Sequence, residues 1–179
     1  MSLQFNISQL LKEDVGRTRI YDFHSDVPLD LEDGTATDVH GTVKFTLTNF
    51  GILANGSAEA VLHLACARCL EPFETPTSVR FEEEFRPTID IATGLASTVP
   101  LGDTAFDISE NHTIDLEEAL RQNLLLAVEI IPVCSVGCKG LCPSCGVNRN
   151  LKDCHCHEAD TSSPFAVLQG LLAESEVEK

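Results

Sequence analysis

An α+β protein is predicted, mainly an antiparallel β-meander with one packed helix and a small C-terminal cysteine-rich tail. Three observations in the 179 residues predict it. Apolar and polar residues alternate with a period of two through most of residues 39–85. Residues 115–127 switch to helical spacing, and six of the eight cysteines crowd between Cys134 and Cys156.

The elements follow in order. Residues 3–12 read as a short strand running into a helical turn at Ser8, and residues 17–23 as another short strand. Residues 24–38 hold Asp26, Pro28, Asp30, Glu32, Asp33 and Gly34, which predicts a solvated loop. In residues 39–48, Val39, Gly41, Val43, Phe45 and Leu47 alternate with His40, Thr42, Lys44, Thr46 and Thr48, the mark of a half-buried strand. Asn49, Phe50 and Gly51 supply a turn. A second strand over residues 58–66 puts Ala58, Ala60, Leu62 and Leu64 on one face. A third, over residues 73–85, carries Phe73, Val79, Phe81 and Phe85. Pro72 and Pro76 cannot donate to a ladder, so this strand is expected to begin at a sheet edge.

Residues 87–103, rich in Thr, Gly, Ser and Pro, read as a loop. Asp115, followed by Glu117 and Glu118, resembles a capping box. A helix of about 12 residues is then expected to pack Leu116, Ala119, Leu120, Leu124 and Ala127 on the sheet. Pro132 stops regular structure just before the cysteines. Ser163 and Pro164 can cap a terminal helix with Phe165, Leu168 and Leu172 on one face. The expected division is a β-rich domain over residues 1–132 and a metal-binding tail over residues 133–179.

Composition narrows the function. Apolar content is 43%, and eight cysteines are about 4.5% of the chain, below the roughly 8–10% of a short disulfide scaffold. The first residues show no basic region or apolar core of a secretory signal, and no run of about 18 apolar residues predicts a membrane span. A reducing, cytoplasmic setting is expected, in which thiols persist as ligands. Twelve Lys and Arg against 28 Asp and Glu give a net charge of −16. Such a body repels nucleic-acid phosphates at long range and favours basic partners.

The cysteines carry the chemistry. Thiolates at this density are the ligands of a tetrahedral ion, and Zn2+ is the expected cofactor. In Cys142-Pro143-Ser144-Cys145-Gly146 the proline fixes one φ, and Gly146 permits the tight turn that aims amides at sulfur. The nearest completing pair is Cys154 and Cys156, so Cys142, Cys145, Cys154 and Cys156 form the first-choice site. Cys138 and Cys134 are alternates, whereas His155 and His157 are more simply exposed imidazoles. Cys66 and Cys69 form a distant pair at a strand end. They can make a second site, for example with Cys134 and Cys138, or face Cys142 and Cys145 as paired knuckles do in a zinc ribbon. They can also be two partly buried free thiols.

Other chemistry fits less well. Leu70, Glu71 and Pro72 do not start the helix that a redox Cys-x-x-Cys needs, and the spacing is wrong for a zinc deaminase. No phosphate loop, nucleophile elbow or paired-carboxylate motif stands out, and no small-molecule substrate is expected. The run Glu82 to Glu84 is a solvated strand face. Between Cys134 and His157 the charges are Lys139, Arg149, Lys152 and Asp153, a local +2. Those cations either contact RNA phosphates or offset the thiolates' own charge.

Several segments resemble one family. They are Cys66-Ala67-Arg68-Cys69-Leu70-Glu71-Pro72; Ile114-Asp115-Leu116-Glu117-Glu118 with its Leu124–Ala127 continuation; Cys138-Lys139-Gly140-Leu141-Cys142-Pro143; and the closing Cys154-x-Cys156 with Pro164-Phe165-Ala166-Val167-Leu168. In this order they resemble the YceD family. Arg149 departs from the pattern, standing where many members have Leu. The resemblance implies metal binding, a link to nucleic acid, and a role in accumulation of large-subunit ribosomal RNA in bacteria and plastids. It further implies a basic ribosomal protein or a large-subunit rRNA precursor as partner. The expected function is therefore a non-catalytic ribosome-biogenesis factor supporting 23S rRNA. The alternative is a zinc- or thiol-dependent enzyme, hydrolytic or redox, that uses the cysteine clusters.

Overall fold

The computed structural model describes residues 3–89 and 106–156. Most of the loop expected over residues 87–103, the terminal helix from Ser163, and His157 lie outside the described residues.

The strands are β1 (Gln4–Asn6), β2 (Thr18–Ser25), β3 (Leu29–Leu31), β4 (Gly34–Leu47), β5 (Ile52–Ala65), β6 (Pro72–Pro87), β7 (Phe106–Ile108) and β8 (Thr113–Asp115). One helix, α1 (Glu117–Ala127), follows them. Strands β2, β4, β5 and β6 are ordered as they occur and pair antiparallel, which is the expected meander. The sheet is nonetheless mixed, because β7 adds to β6 in parallel at Phe85–Pro87. Among the described residues β6 has no other strand on that side, so Pro72 and Pro76 sit where no ladder amide is needed.

The acidic loop expected over residues 24–38 is a correction. It contains β3 and the start of β4, because its apolar residues alternate beneath the acidic ones. Leu29 and Leu31 are buried on either side of exposed Asp30. Ala36 and Val39 are both buried although three apart, so a regular strand would turn one of them outward. A bulge between Thr37 and His40, with Asp38 at φ +51°, absorbs the odd residue and keeps both in the core.

The core lies on one face of this sheet. β5 contributes small inward residues, Ala54, Gly56, Ala58 and Ala60, which leave room for aromatic rings from its neighbours. Phe81 of β6 lies over Gly56, where a Cβ would come within 2.5 Å of its Cζ. Phe5, Tyr21 and Phe45 cluster with ring centroids 5.4–5.7 Å apart. The helix covers the same face through Leu116, Ala119, Leu120 and Leu124, all fully buried, while Ala127 is exposed. Asp115 Oδ1 accepts the Glu117 amide at 2.9 Å just ahead of the helix, while Glu118 accepts from Arg121 and Gln122 and does not close the expected capping box. A two-stranded sheet of β1 and β8 ties the first residues to the helix start.

Among the described residues no helix or second sheet packs on the opposite face. Register places Asp22, Asp30, Glu59, Glu74, Glu82, Glu84 and Asp107 on it with Lys44, Arg80 and Arg86, seven acids against three bases. No helix among the described residues is long and apolar enough to cross a membrane.

Candidate metal centres

The β5–β6 hairpin turn is itself a cysteine knuckle. The Leu70 amide donates to the Cys66 carbonyl at 2.9 Å, and the Cys66 amide to the Glu71 carbonyl at 2.9 Å. Leu70 adopts φ +61° to allow this. The tail repeats the pattern residue for residue. Gly146, at φ +72°, donates to the Cys142 carbonyl at 2.9 Å, and the Cys142 amide donates to the Val147 carbonyl at 2.8 Å. Both Cys-x-x-Cys pairs are thus turned so that their two sulfurs point to one side.

Each knuckle meets a second pair of cysteines. The structure gathers Cys66, Cys69, Cys134 and Cys138 in one cluster and Cys142, Cys145, Cys154 and Cys156 in another, with the sulfurs of each within 4.8 Å of one another. Cys134 and Cys138 therefore lie with the hairpin pair and not with the later cysteines. The ribbon arrangement, with Cys66 and Cys69 facing Cys142 and Cys145, is not formed. The reason is chain path: the Ala67 amide donates to the Pro132 carbonyl at 2.8 Å, which lays the segment entering Cys134 against the hairpin.

The geometry fits an ion. A tetrahedron with metal–sulfur bonds of about 2.3 Å has sulfur–sulfur edges of about 3.8 Å. Cys66 and Cys138 sulfurs are 3.8 Å apart, as are those of Cys69 and Cys134. A disulfide needs about 2.05 Å, and all eight cysteines are free thiols. The four-sulfur donor set suits a soft or borderline ion and leaves no protein position open for substrate.

The two centres differ in exposure. Cys66, Cys69 and Cys138 are buried and pack on Phe73 and Val133, so the first centre extends the fold of the hairpin. In the second, Cys142 is buried while Cys145 and Cys156 are exposed. Within each centre the thiols are pushed apart in acidity. Cys66 is lowered to about 6 by the backbone of Cys134 first, then by amides of its own turn. Cys142 is likewise lowered to about 6 by the amides of Cys145 and Ser144. Cys69 is drawn down by the Glu71 backbone, but burial and its three thiol neighbours outweigh this and push it up to about 12. Contact with Cys145, followed by burial, pushes Cys156 up to about 12. Near neutrality each centre already holds a thiolate that can capture a cation.

The tail cations gather around the junction between the centres. The Lys139 amide bonds Asn150 Oδ1 at 2.8 Å, the Arg149 amide bonds the Gly140 carbonyl at 2.9 Å, and the Lys152 amide bonds the Asn148 carbonyl at 3.1 Å. All three side chains are exposed. The sequence reading left out one participant and left the role of another open. Arg68 is exposed in the first knuckle, and its carbonyl accepts the Leu141 amide at 3.0 Å. Asn150 Nδ2 donates to a sulfur of the first cluster, Cys138 Sγ, at 3.3 Å. Arg68 was legible as a cation between two cysteines, whereas the role of Asn150 depends on tertiary contact.

An uncharacterized protein of Mycobacterium tuberculosis (strain ATCC 25618 / H37Rv) is 35% identical over 108 residues, covering 60% of this chain and 50% of its own. An uncharacterized protein of Mycobacterium bovis matches to the same extent. A chloroplastic large ribosomal RNA subunit accumulation protein YCED homolog 1 of Arabidopsis thaliana is 24% identical over 163 residues, covering 79% of this chain and 50% of its own. The chain thus spans about half the length of the curated relatives it matches. No solved structure matches it significantly. The family model described as large ribosomal RNA subunit accumulation protein YceD matches residues 54–172, a span that includes all eight cysteines, and the chain belongs to that family.

Proposed function

We propose that this protein is a non-catalytic factor that supports the synthesis, processing or stability of large-subunit ribosomal RNA, 23S in bacteria. In this reading two structural Zn2+ centres shape its RNA-facing end. The observation that carries the proposal is the family match across both sulfur clusters. Residues Cys66, Cys69, Cys134 and Cys138 would hold one ion, and Cys142, Cys145, Cys154 and Cys156 the other. Two closed four-sulfur sets suit a structural role and offer no vacant position for hydrolysis.

Charge divides the work. Arg68, Lys139, Arg149 and Lys152 surround the centres and are suited to phosphates of a precursor RNA. The open sheet face, with Asp22, Glu59, Glu74, Glu82 and Glu84, is suited to a basic ribosomal protein. The setting would be the cytoplasm, where the thiols stay reduced.

Depletion in cells tests the function: precursor and mature 23S rRNA levels are expected to fall, and unchanged levels would count decisively against it. Crosslinking in cells, with RNA and protein partners both identified, separates direct RNA contact from contact through a ribosomal protein.

A further inference from the structure

A third group of ligating side chains lies away from the sulfur centres, on the open face of the sheet and outside residues 54–172. We propose that His24, Asp38 and His40 form a site for an exchangeable first-row divalent cation. One ligand atom from each lies within 4.8 Å of the others.

The strands set the geometry. His24 of β2 and His40 of β4 are directly opposite in register, which brings their rings to a centroid separation of 6.4 Å. The bulge in β4 then supplies the carboxylate. With Asp38 in the left-handed region at φ +51°, Asp38 Oδ1 lies 3.8 Å from His24 Nδ1 and 3.7 Å from His40 Nδ1. Few residues tolerate this backbone, and Asp is among them. The same bulge that rescues the core register thus places a carboxylate between two imidazoles.

The outer shell is also built. Each imidazole turns its other nitrogen toward a separate carboxylate: His24 Nε2 is 2.7 Å from Asp26 Oδ1, and His40 Nε2 is 3.7 Å from Glu59 Oε2. Metal-ligating histidines characteristically give their second nitrogen to such a carboxylate, which fixes the tautomer and makes the ligand more basic. His40 Nδ1 also lies 2.8 Å from the Asp38 carbonyl oxygen. On metal binding the proton held there moves to Nε2, beside Glu59, so the imidazole stays neutral and Nδ1 becomes a ligand. Two nitrogens and one oxygen suit Zn2+, Ni2+ or Cu2+. Side-chain exposures of 44%, 46% and 61% for His24, His40 and Asp38 leave room for water ligands and for exchange.

The test is a Zn2+ titration of the full chain, followed by the ring-nitrogen resonances of its histidines. Once thiol reactivity shows that the cysteines are filled, further Zn2+ is expected to shift His24 and His40 while His63 and His112 stay still. Asp38→Asn keeps a side chain that accepts the bulge backbone and is expected to weaken this response about tenfold or more. His63→Gln, which alters another half-exposed histidine of the same face, is expected to leave it unchanged. The proposal is overturned if His24 and His40 do not shift, if His63 shifts equally, or if Asp38→Asn responds like the parent.

Discussion

Asn150 Nδ2 donates to Cys138 Sγ at 3.3 Å, although Asn150 stands in the loop of the second sulfur cluster and Cys138 in the first. This bond is the leading cause of the lowered pKa of Cys138. Asn150 is itself held in place, since its Oδ1 accepts the Lys139 amide at 2.8 Å and its own amide bonds Asn148 Oδ1 at 3.0 Å. The two centres are therefore mechanically joined. Asn150→Leu, of similar size but unable to donate, is expected to weaken metal binding at the first centre about 10–100-fold. Chelator competition on the metal-loaded protein measures this, and equal affinities for variant and parent would sink it.

The twin knuckles give a backbone prediction. Leu70 and Gly146 occupy the same left-handed position, at φ +61° and +72°. A side chain there costs roughly 1–2 kcal/mol, against about 0.5–1 kcal/mol for the extra chain entropy of glycine. Leu70 is 66% exposed, so little burial is lost by removing it. Leu70→Gly is expected to stabilise the metal-loaded protein by up to about 1 kcal/mol, and Gly146→Ala to destabilise it by about 1 kcal/mol. Urea unfolding of the two variants checks both signs. Shifts of the same sign for the two variants would show that the knuckles are not equivalent.

The sequence reading reached the meander, the helix and the existence of metal-type clusters because each rests on local pattern. Alternation exposed β4 to β6, and Asp115 marked the helix start. It failed at residues 24–38, where counting acids hid the alternation of Leu29, Asp30 and Leu31. The bulge at Asp38 was invisible because it answers a three-residue spacing, Ala36 to Val39, that conflicts only once both must be buried. The parallel addition of β7 and the pairing of β1 with β8 join segments far apart in the chain, and no local period reports them. Spacing alone also left open which cysteines meet. That choice is made by the Ala67 to Pro132 hydrogen bond, a contact between segments 65 residues apart.

Acidity of the metal-free thiols sets a stability window. Cys66 and Cys142 fall from the ordinary value of 9.0 to about 6 in the folded chain. A group with a depressed folded value contributes stability that is present above its unfolded value and lost as pH falls through the folded one. Cys69 and Cys156 are raised to about 12, so their contribution is present below 9.0 and fades only as pH rises toward 12. Metal-free protein is therefore expected to gain stability from about pH 6 to about pH 9, and to lose part of it above that. Ultraviolet titration should show thiolate absorbance beginning near pH 6, with Cys66→Ser and Cys142→Ser each removing part of that step. An onset near pH 9 in the folded protein would rule the arrangement out.

Metal removal should act on one end of the molecule. Apparent binding energies of structural Zn2+ reach roughly 10–16 kcal/mol in small modules, because folding and binding are one event there. Residues 134–156 bury few apolar side chains, and their exposed apolar groups include Val136 and Leu151. The sheet has its own core, with Phe45, Phe85, Ile52 and Leu62 fully buried. Chelation is therefore expected to destabilise residues 134–156 and the Cys66–Cys69 turn, so that they open far more often, while β4, β5 and β6 keep their ladder. Hydrogen exchange resolves this directly: the Leu141, Cys142 and Gly146 amides should lose protection, and those of β4 and β5 should not. If chelated and metal-loaded protein instead melt in one identical step, the ions do not hold the tail, and the sulfur clusters need another explanation.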